Sequence, residues 1–231
     1  MNKIYVIGIG FRPLENKASS SVLSADVVLA NDRLLNVFRG YDEYGSVKDR
    51  IIVHDSVYET LDYIGDNYGS KQIALLAAGD PMFFGIGRPV VERFGRSAVE
   101  VYPDLSSIQV AFSRIREASN NAFFVSFHGG PDPEKRRTLE YEMTALPALM
   151  EKHEKIAILT DKVNSPAEIA KIILGSTERI PHFSSAKIYV CEKLGYDDEK
   201  ITEGTPGDIA LLSFNYPNVM IVIQSKGEGK E

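Results

Sequence analysis

Cysteine is nearly absent from this chain and tryptophan is wholly absent. The single cysteine, Cys191, excludes an intramolecular disulfide and leaves a cysteine-based metal site without its ligands. Such a lone thiol is read as a small buried hydrophobe. Long apolar runs are missing too. The most continuous, Ile73-Ala74-Leu75-Leu76-Ala77-Ala78, is far short of the roughly 18 to 20 residues needed to cross a bilayer. Met1-Asn2-Lys3 leads directly into Ile4-Tyr5-Val6-Ile7, without the charged start, apolar segment and cleavage site of a leader. A surplus of positive charge is also lacking: the net charge of -6 repels phosphate backbones on average. The expectation is a cytoplasmic protein that binds neither membrane nor nucleic acid and holds no metal.

What is present is the composition of a folded globular protein, 44% hydrophobic and 25% charged. The length suits one large domain or two of about 100 to 120 residues, each able to bury a core. In the first half, Ile4 to Ile7, Val27 to Ala30, Ile73 to Ala78 and Val99 to Tyr102 read as buried strands. Helical stretches lie between them. Ser56 and Glu59 form a capping pair ahead of Val57, Leu61 and Ile64 at helical spacing, and Ser106 and Gln109 stand in the same relation to Ile108, Phe112 and Ile115. This alternation predicts an α/β fold with a mostly parallel sheet covered on both faces.

The pattern breaks at Glu117-Ala118-Ser119-Asn120-Asn121, which places a boundary between domains at 1–118 and 122–225, with 226–231 as a solvated tail. The apolar run Ala122-Phe123-Phe124-Val125 follows the break, and the second half offers strands at Lys155 to Leu159, Ala186 to Cys191 and Val219 to Ile223. A helix opens at Ser165-Pro166-Ala167-Glu168, with a capping serine and proline at the first helical position.

Two turns stand out as chemistry-bearing. Gly8-Ile9-Gly10 follows the first strand, where missing side chains let a ligand approach the backbone. A dinucleotide fingerprint would need a glycine at 13, where Pro13 stands, so only Gly8, Gly10 and Asp32 speak for a redox module. Leu76-Ala77-Ala78-Gly79-Asp80-Pro81-Met82-Phe83-Phe84-Gly85 ends a buried strand in a glycine, a carboxylate and a rigid proline. By physics alone this is equally an ordinary strand-to-helix turn, with Asp80 accepting amide hydrogens, or a site.

Taken in order, Gly8-Ile9-Gly10, Gly79-Asp80-Pro81-Met82-Phe83, Pro103-Asp104-Leu105-Ser106-Ser107-Ile108-Gln109, Ser126-Phe127-His128-Gly129, Leu159-Thr160-Asp161, Ser165-Pro166-Ala167-Glu168 and Cys191-Glu192-Lys193-Leu194-Gly195-Tyr196 resemble the tetrapyrrole (precorrin) methylases over nearly the whole chain. The resemblance implies that family's fold: two α/β domains, the first with a mostly parallel sheet and the second with a mixed one, and a cofactor cleft between them. It implies S-adenosyl-L-methionine as cofactor, with S-adenosyl-L-homocysteine as product, and an acceptor that is a ring bridge carbon, C5, of cobalt-precorrin-7 or a related precorrin in cobalamin biosynthesis. By family position Phe11, Gly79, Asp80, Phe83, Ser107, Ile108 and Thr160 would bind the cofactor. His128 is the candidate for proton removal or substrate positioning, though a histidine before two glycines equally organises a turn.

The resemblance further implies a homodimer and a separate decarboxylating methyltransferase as partner. Two departures matter. The first turn reads Gly10-Phe11-Arg12 where Gly-Pro-Gly is frequent, and Gly130 stands where an arginine is common. Arg12, Arg33 and Arg114 lie near candidate loops for the substrate's acetate and propionate groups, and Lys135-Arg136-Arg137 is the densest basic cluster. Related members act on a protein, as in diphthine synthesis, or on ribosomal RNA, and a nonenzymatic adenosylmethionine sensor would keep the same cofactor loops.

Overall fold

The computed structural model describes residues 2–129 and 139–224. Gly130, the Lys135-Arg136-Arg137 cluster and the 226–231 tail therefore lie outside the described residues. The chain forms two compact units, Met1–Ser106 and Ser107–Glu231.

The first unit is built on strands β1 (Ile4–Ile9), β2 (Val27–Ala30), β3 (Ile51–Val53), β4 (Ile73–Ala78) and β5 (Val99–Tyr102). Their order is β3-β2-β4-β1-β5, and every pairing is parallel. The helices are α1 (Asn16–Ser24), α2 (Asp32–Phe38), α3 (Tyr44–Val47), α4 (Val57–Asn67) and α5 (Gly87–Phe94). Alternate strand residues serve opposite layers, as a two-residue side-chain period requires. Ile7, Ile9, Ala74 and Leu76 pack with Ala18 and Val22 of α1 and Leu34 and Phe38 of α2. Ile4, Val6, Ile73 and Leu75 pack with Leu61 and Ile64 of α4 and Val90 of α5. Because both faces are covered, the strands read as unbroken apolar runs. Helix starts are fixed locally: Asn31 accepts from the Leu34 amide (2.8 Å), and Ser56 from the Glu59 amide (3.5 Å).

The second unit opens with α6 (Ser107–Ile115), then β6 (Ala122–Ser126), α7 (Leu146–Lys152), β7 (Lys155–Leu159), α8 (Pro166–Gly175), β8 (Lys187–Glu192), β9 (Lys200–Gly204), α9 (Pro206–Ile209) and β10 (Asn218–Ile223). The sheet order is β6-β7-β10-β8-β9. Only β6 and β7 are parallel, so this sheet is mixed. One core holds Ile156 and Ile158 of β7, Ile188 and Val190 of β8, Met220 and Val222 of β10, and the apolar faces of α7 and α8. The polar break after α6 invites a boundary near 117–121, yet α6 packs on β7 and β10 and belongs to the second unit. Cys191 is buried, and burial, with a smaller push from the Glu199 carboxylate, raises its thiol to about 12.

Helix α8 starts as its sequence dictates, with Ser165 accepting from the Glu168 amide (3.3 Å) and proline at the first position. A reciprocal capping box at Thr205 and Asp208 starts α9, which the apolar pattern alone did not reveal. The 195–199 turn is held to α6 by one carboxylate. Glu199 accepts from Arg114 Nε (2.6 Å) and from the Gly195 amide (2.9 Å).

Burial pushes the Glu199 carboxyl upward, but the Arg114 and Gly195 donors outweigh it and hold it below its ordinary value. A carboxyl depressed in the folded state adds stability that is complete above its unfolded value and lost as pH falls through the lower folded value. Glu199→Gln should therefore cost roughly 1 kcal/mol or less at neutral pH, Arg114 being half exposed. In urea melts the gap to the parent should close below the usual carboxylate range. An undiminished gap in acid would show that the pair is not its source.

Candidate active site

In the parallel sheet the chain leaves β1 over α1 toward β2, and leaves β4 over α5 toward β5. These two helices lie on opposite faces, and the neighbouring strands β1 and β4 send their connections in opposite directions. The carboxyl ends of such a strand pair open a crevice, the usual ligand position in open α/β sheets. Gly10 and Gly79 are the residues that follow those two strands.

Three backbone segments meet here. The Gly79 amide donates to the Ile9 carbonyl (2.9 Å), and the Gly79 carbonyl accepts from the Asp104 amide (3.2 Å). A Cβ on Gly8 would lie 2.0 Å from the Gly79 oxygen and 2.6 Å from the Asp104 nitrogen. Gly8 is thus glycine because backbone occupies the space of its side chain, whereas the space beside Gly10 is open. Gly10 has φ +138°, with open space where a Cβ would project, and its amide donates to the Tyr41 hydroxyl (2.8 Å). Burial raises the Tyr41 phenol above its ordinary value, and the Gly10 amide only partly offsets that. Gly79 has φ +58°, and a Cβ there would meet the Leu105 oxygen at 2.7 Å.

Asp104 anchors the crossing. It is only 6% exposed. Its Oδ2 accepts from the Phe11 amide (2.7 Å) and the Arg12 amide (3.3 Å), and its Oδ1 from Arg12 Nε (2.8 Å) and the Leu105 amide (2.7 Å). A buried carboxylate is tolerated when its lone pairs are filled in this way. Phe11 thereby has its backbone tied to the loop after β5.

The Gly79-Asp80-Pro81 loop is both turn and candidate site. Asp80 Oδ1 accepts from the Met82 amide (2.9 Å), a local aspartate turn, and the Asp80 carbonyl accepts from Phe83 (3.1 Å). Phe83 and Phe84 meet edge to face at 4.9 Å. Phe11, Gly79, Asp80 and Phe83 all lie at the carboxyl edge of the parallel sheet.

In the second unit, β6 and β7 are parallel neighbours, so the segments after them are adjacent. Asp161, 3% exposed, accepts from the amides of Gly129 (2.8 Å), Val163 (2.9 Å) and Asn164 (2.7 Å). Asn164 Nδ2 donates to the Phe127 carbonyl (2.7 Å). His128 Nδ1 lies 3.9 Å from Asp161 Oδ2, and its ring runs nearly parallel to Tyr216. Thr160 is buried, its hydroxyl donating to Asn218 (2.8 Å to the carbonyl). Its side chain is thus already committed inside the protein. Ile108 is likewise buried, leaving backbone as its means of contact, whereas Ser107 is partly exposed at the start of α6.

Asp104 and Asp161 were within the quoted motifs but carried no assigned role. Each follows a strand closely and precedes a loop rich in free amides, which is the signal that could have marked them. Gly8→Ala should destabilise the first unit by about 3 kcal/mol, because the clash is backbone on backbone. Chemical denaturation checks this, and a loss below about 1 kcal/mol would show that the strand ends can part at little cost.

A model of the Tetrapyrrole (Corrin/Porphyrin) Methylases matches residues 3–210. The probable cobalt-precorrin-7 C(5)-methyltransferase of Methanocaldococcus jannaschii is 27% identical over 223 residues, 94% of this chain and 96% of that one. The decarboxylating precorrin-6Y C(5,15)-methyltransferase of Sinorhizobium sp is 28% identical over 157 residues, 68% of this chain but 34% of that one. The crystal structure of the cobalamin-biosynthesis precorrin-6Y methylase of Archaeoglobus fulgidus superposes with a TM-score of 0.66 at 22% identity, covering 96% of this chain and 98% of that one.

Proposed function

The chain belongs to the tetrapyrrole (corrin/porphyrin) methylases, and on that premise we propose that it methylates C5, a ring bridge carbon, of cobalt-precorrin-7 or a related precorrin in cobalamin biosynthesis. The observation that carries the acceptor is the near end-to-end similarity to the Methanocaldococcus protein. S-adenosyl-L-methionine is the methyl donor in this reading. When bound it supplies a methyl group already activated on a sulfonium sulfur, which a nucleophilic ring carbon takes in one displacement, leaving S-adenosyl-L-homocysteine.

The residues suit such a donor. Gly10 leaves open space beside a strand end, Ala78 is exposed at the end of β4, and the surrounding loops present backbone groups. In the first unit Phe11, Gly79, Asp80 and Phe83 are the proposed cofactor contacts. In the second unit Ser107, Ile108 and Thr160 are, the buried pair acting through backbone. Because the donor is activated, the protein's task is alignment and exclusion of water, and alignment alone can supply roughly 7 to 11 kcal/mol.

Methylation of a bridge carbon leaves a proton to be removed. His128 is the proposed acceptor, its Nδ1 lying 3.9 Å from the Asp161 carboxylate. The reading also carries a cytoplasmic location, a homodimer and a separate decarboxylating methyltransferase that acts on the same macrocycle. The Sinorhizobium relative, matched over a third of its length, supports that last element.

Incubation with cobalt-precorrin-7 and methyl-labelled adenosylmethionine should place the label on C5 by NMR. Label recovered in protein or RNA would overturn the acceptor and leave the family intact. Asp80→Ala should weaken S-adenosylhomocysteine binding about tenfold while costing about 1 kcal/mol or less in stability, since it removes one turn hydrogen bond. Equal affinity would leave Asp80 a turn former only. His128→Gln should lower the single-turnover rate most at the pH where the parent imidazole is neutral; an unchanged rate from about pH 6 to 9 removes it from the mechanism.

A further inference from the structure

Arg12 is half exposed, its side chain 54% accessible, yet the carboxylate it pairs with, Asp104, is buried. Nε donates to the buried Asp104 Oδ1 (2.8 Å), and Nη2 reaches the Pro103 carbonyl (3.4 Å). Its own backbone amide is held by the same carboxylate. A guanidinium has five N–H donors in one plane. Two are used on the edge facing Asp104 and Pro103, and among the described residues nothing takes the others. The outer Nη1 and Nη2 edge remains, and it is the edge that accepts a planar carboxylate bidentately.

The surroundings fit that use. A cavity of about 120 Å³ lies against Arg12, lined also by Leu14, Glu15, Tyr102 and Asp104. It sits at the carboxyl ends of β1 and β5, on the same edge of the sheet as the Gly79-Asp80-Pro81 loop. If the ion pair served stability alone, an exposed partner would contribute little. Burying Asp104 under four donors makes sense as preorganisation: the arginine arm loses its rotational freedom before any ligand arrives. Glu15, which also lines the cavity, limits the local positive field, which suits a single carboxylate better than a dianion.

We propose that Arg12, held by Asp104, is a binding site for one carboxylate side arm of the tetrapyrrole, and so helps set the macrocycle's register. The inference rests on the methyl-transfer reading for its ligand and on this geometry for its site. It assigns substrate recognition to a residue of the first turn, in a chain whose net charge is negative.

The test uses cobyrinic acid, a free polycarboxylate corrinoid, and its full methyl ester as probes. Binding to the whole protein is followed by fluorescence quenching, with S-adenosylhomocysteine affinity measured on the same samples. Arg12→Gln should bind the acid on the order of tenfold more weakly than the parent, and the ester equally well. Arg12→Lys, which keeps charge but loses the fork, should fall between. If Arg12→Gln binds the acid as the parent does, or loses acid and ester alike while retaining its circular dichroism, the subsite is wrong. If the parent fails to bind S-adenosylhomocysteine but still prefers the acid through Arg12, the methyl-transfer reading fails and the carboxylate site stands.

Discussion

Much of the candidate site depends on one crossing of backbones. At the ends of β1, β4 and β5, the peptide of Gly79 bridges Ile9 and Asp104 and fills the space a side chain at position 8 would need. No larger residue fits at Gly8 without moving backbone, so the three strand ends are brought together before any ligand is considered. The crevice at the switch point is therefore a preformed feature of the fold. A ligand that binds mainly to backbone groups gains from such rigidity because it need not order the loops itself.

The same device recurs with a different charge partner in each unit. Asp104 gathers the amides of Phe11, Arg12 and Leu105, and Asp161 gathers those of Gly129, Val163 and Asn164. A buried carboxylate is costly unless every lone pair is used, and loops supply what regular structure has already spent: unpaired N–H groups. Each aspartate thereby turns flexible loop into a defined shape. In the first unit that shape presents Phe11 and Arg12; in the second it presents His128 and the segment after Thr160. Chemistry that needs alignment more than acid or base strength is served by supports of this kind.

The sequence made some of this plain and hid the rest for physical reasons. Long buried strands such as Ile73 to Ala78 announce themselves because both faces are apolar, and Ser165-Pro166 marks a helix start by local chemistry alone. The strand Ile51–Val53 is apolar throughout but only three residues long, and the exposed edge strand β9 has little apolar signal because such a position asks little of its side chains. Helix α6 follows the last strand of one sheet but packs on the other, a choice made by tertiary contact and invisible to periodicity. The Gly79-Asp80-Pro81 loop was legible as a turn or a site, and in the structure Asp80 makes the turn that presents the loop. Thr160 and Ile108 were placed by resemblance, and their burial shows that position in a motif does not imply an accessible side chain. Asp104 was in view but silent, because Phe11 and Arg12, which its carboxylate holds, lie more than 90 residues away in the chain.

The most direct test of the central claim, that the Asp104 crossing holds the candidate crevice in shape, is the calorimetric affinity of Asp104→Asn for S-adenosylhomocysteine. Asparagine keeps one acceptor oxygen and nearly the same volume but gives up the charge and half of the hydrogen-bonding capacity. The expected result is a folded protein that binds on the order of tenfold more weakly, with a less favourable entropy as the loops must now be ordered on binding. An affinity and entropy equal to those of the parent would contradict the account, and would mean that the crevice keeps its shape without this carboxylate.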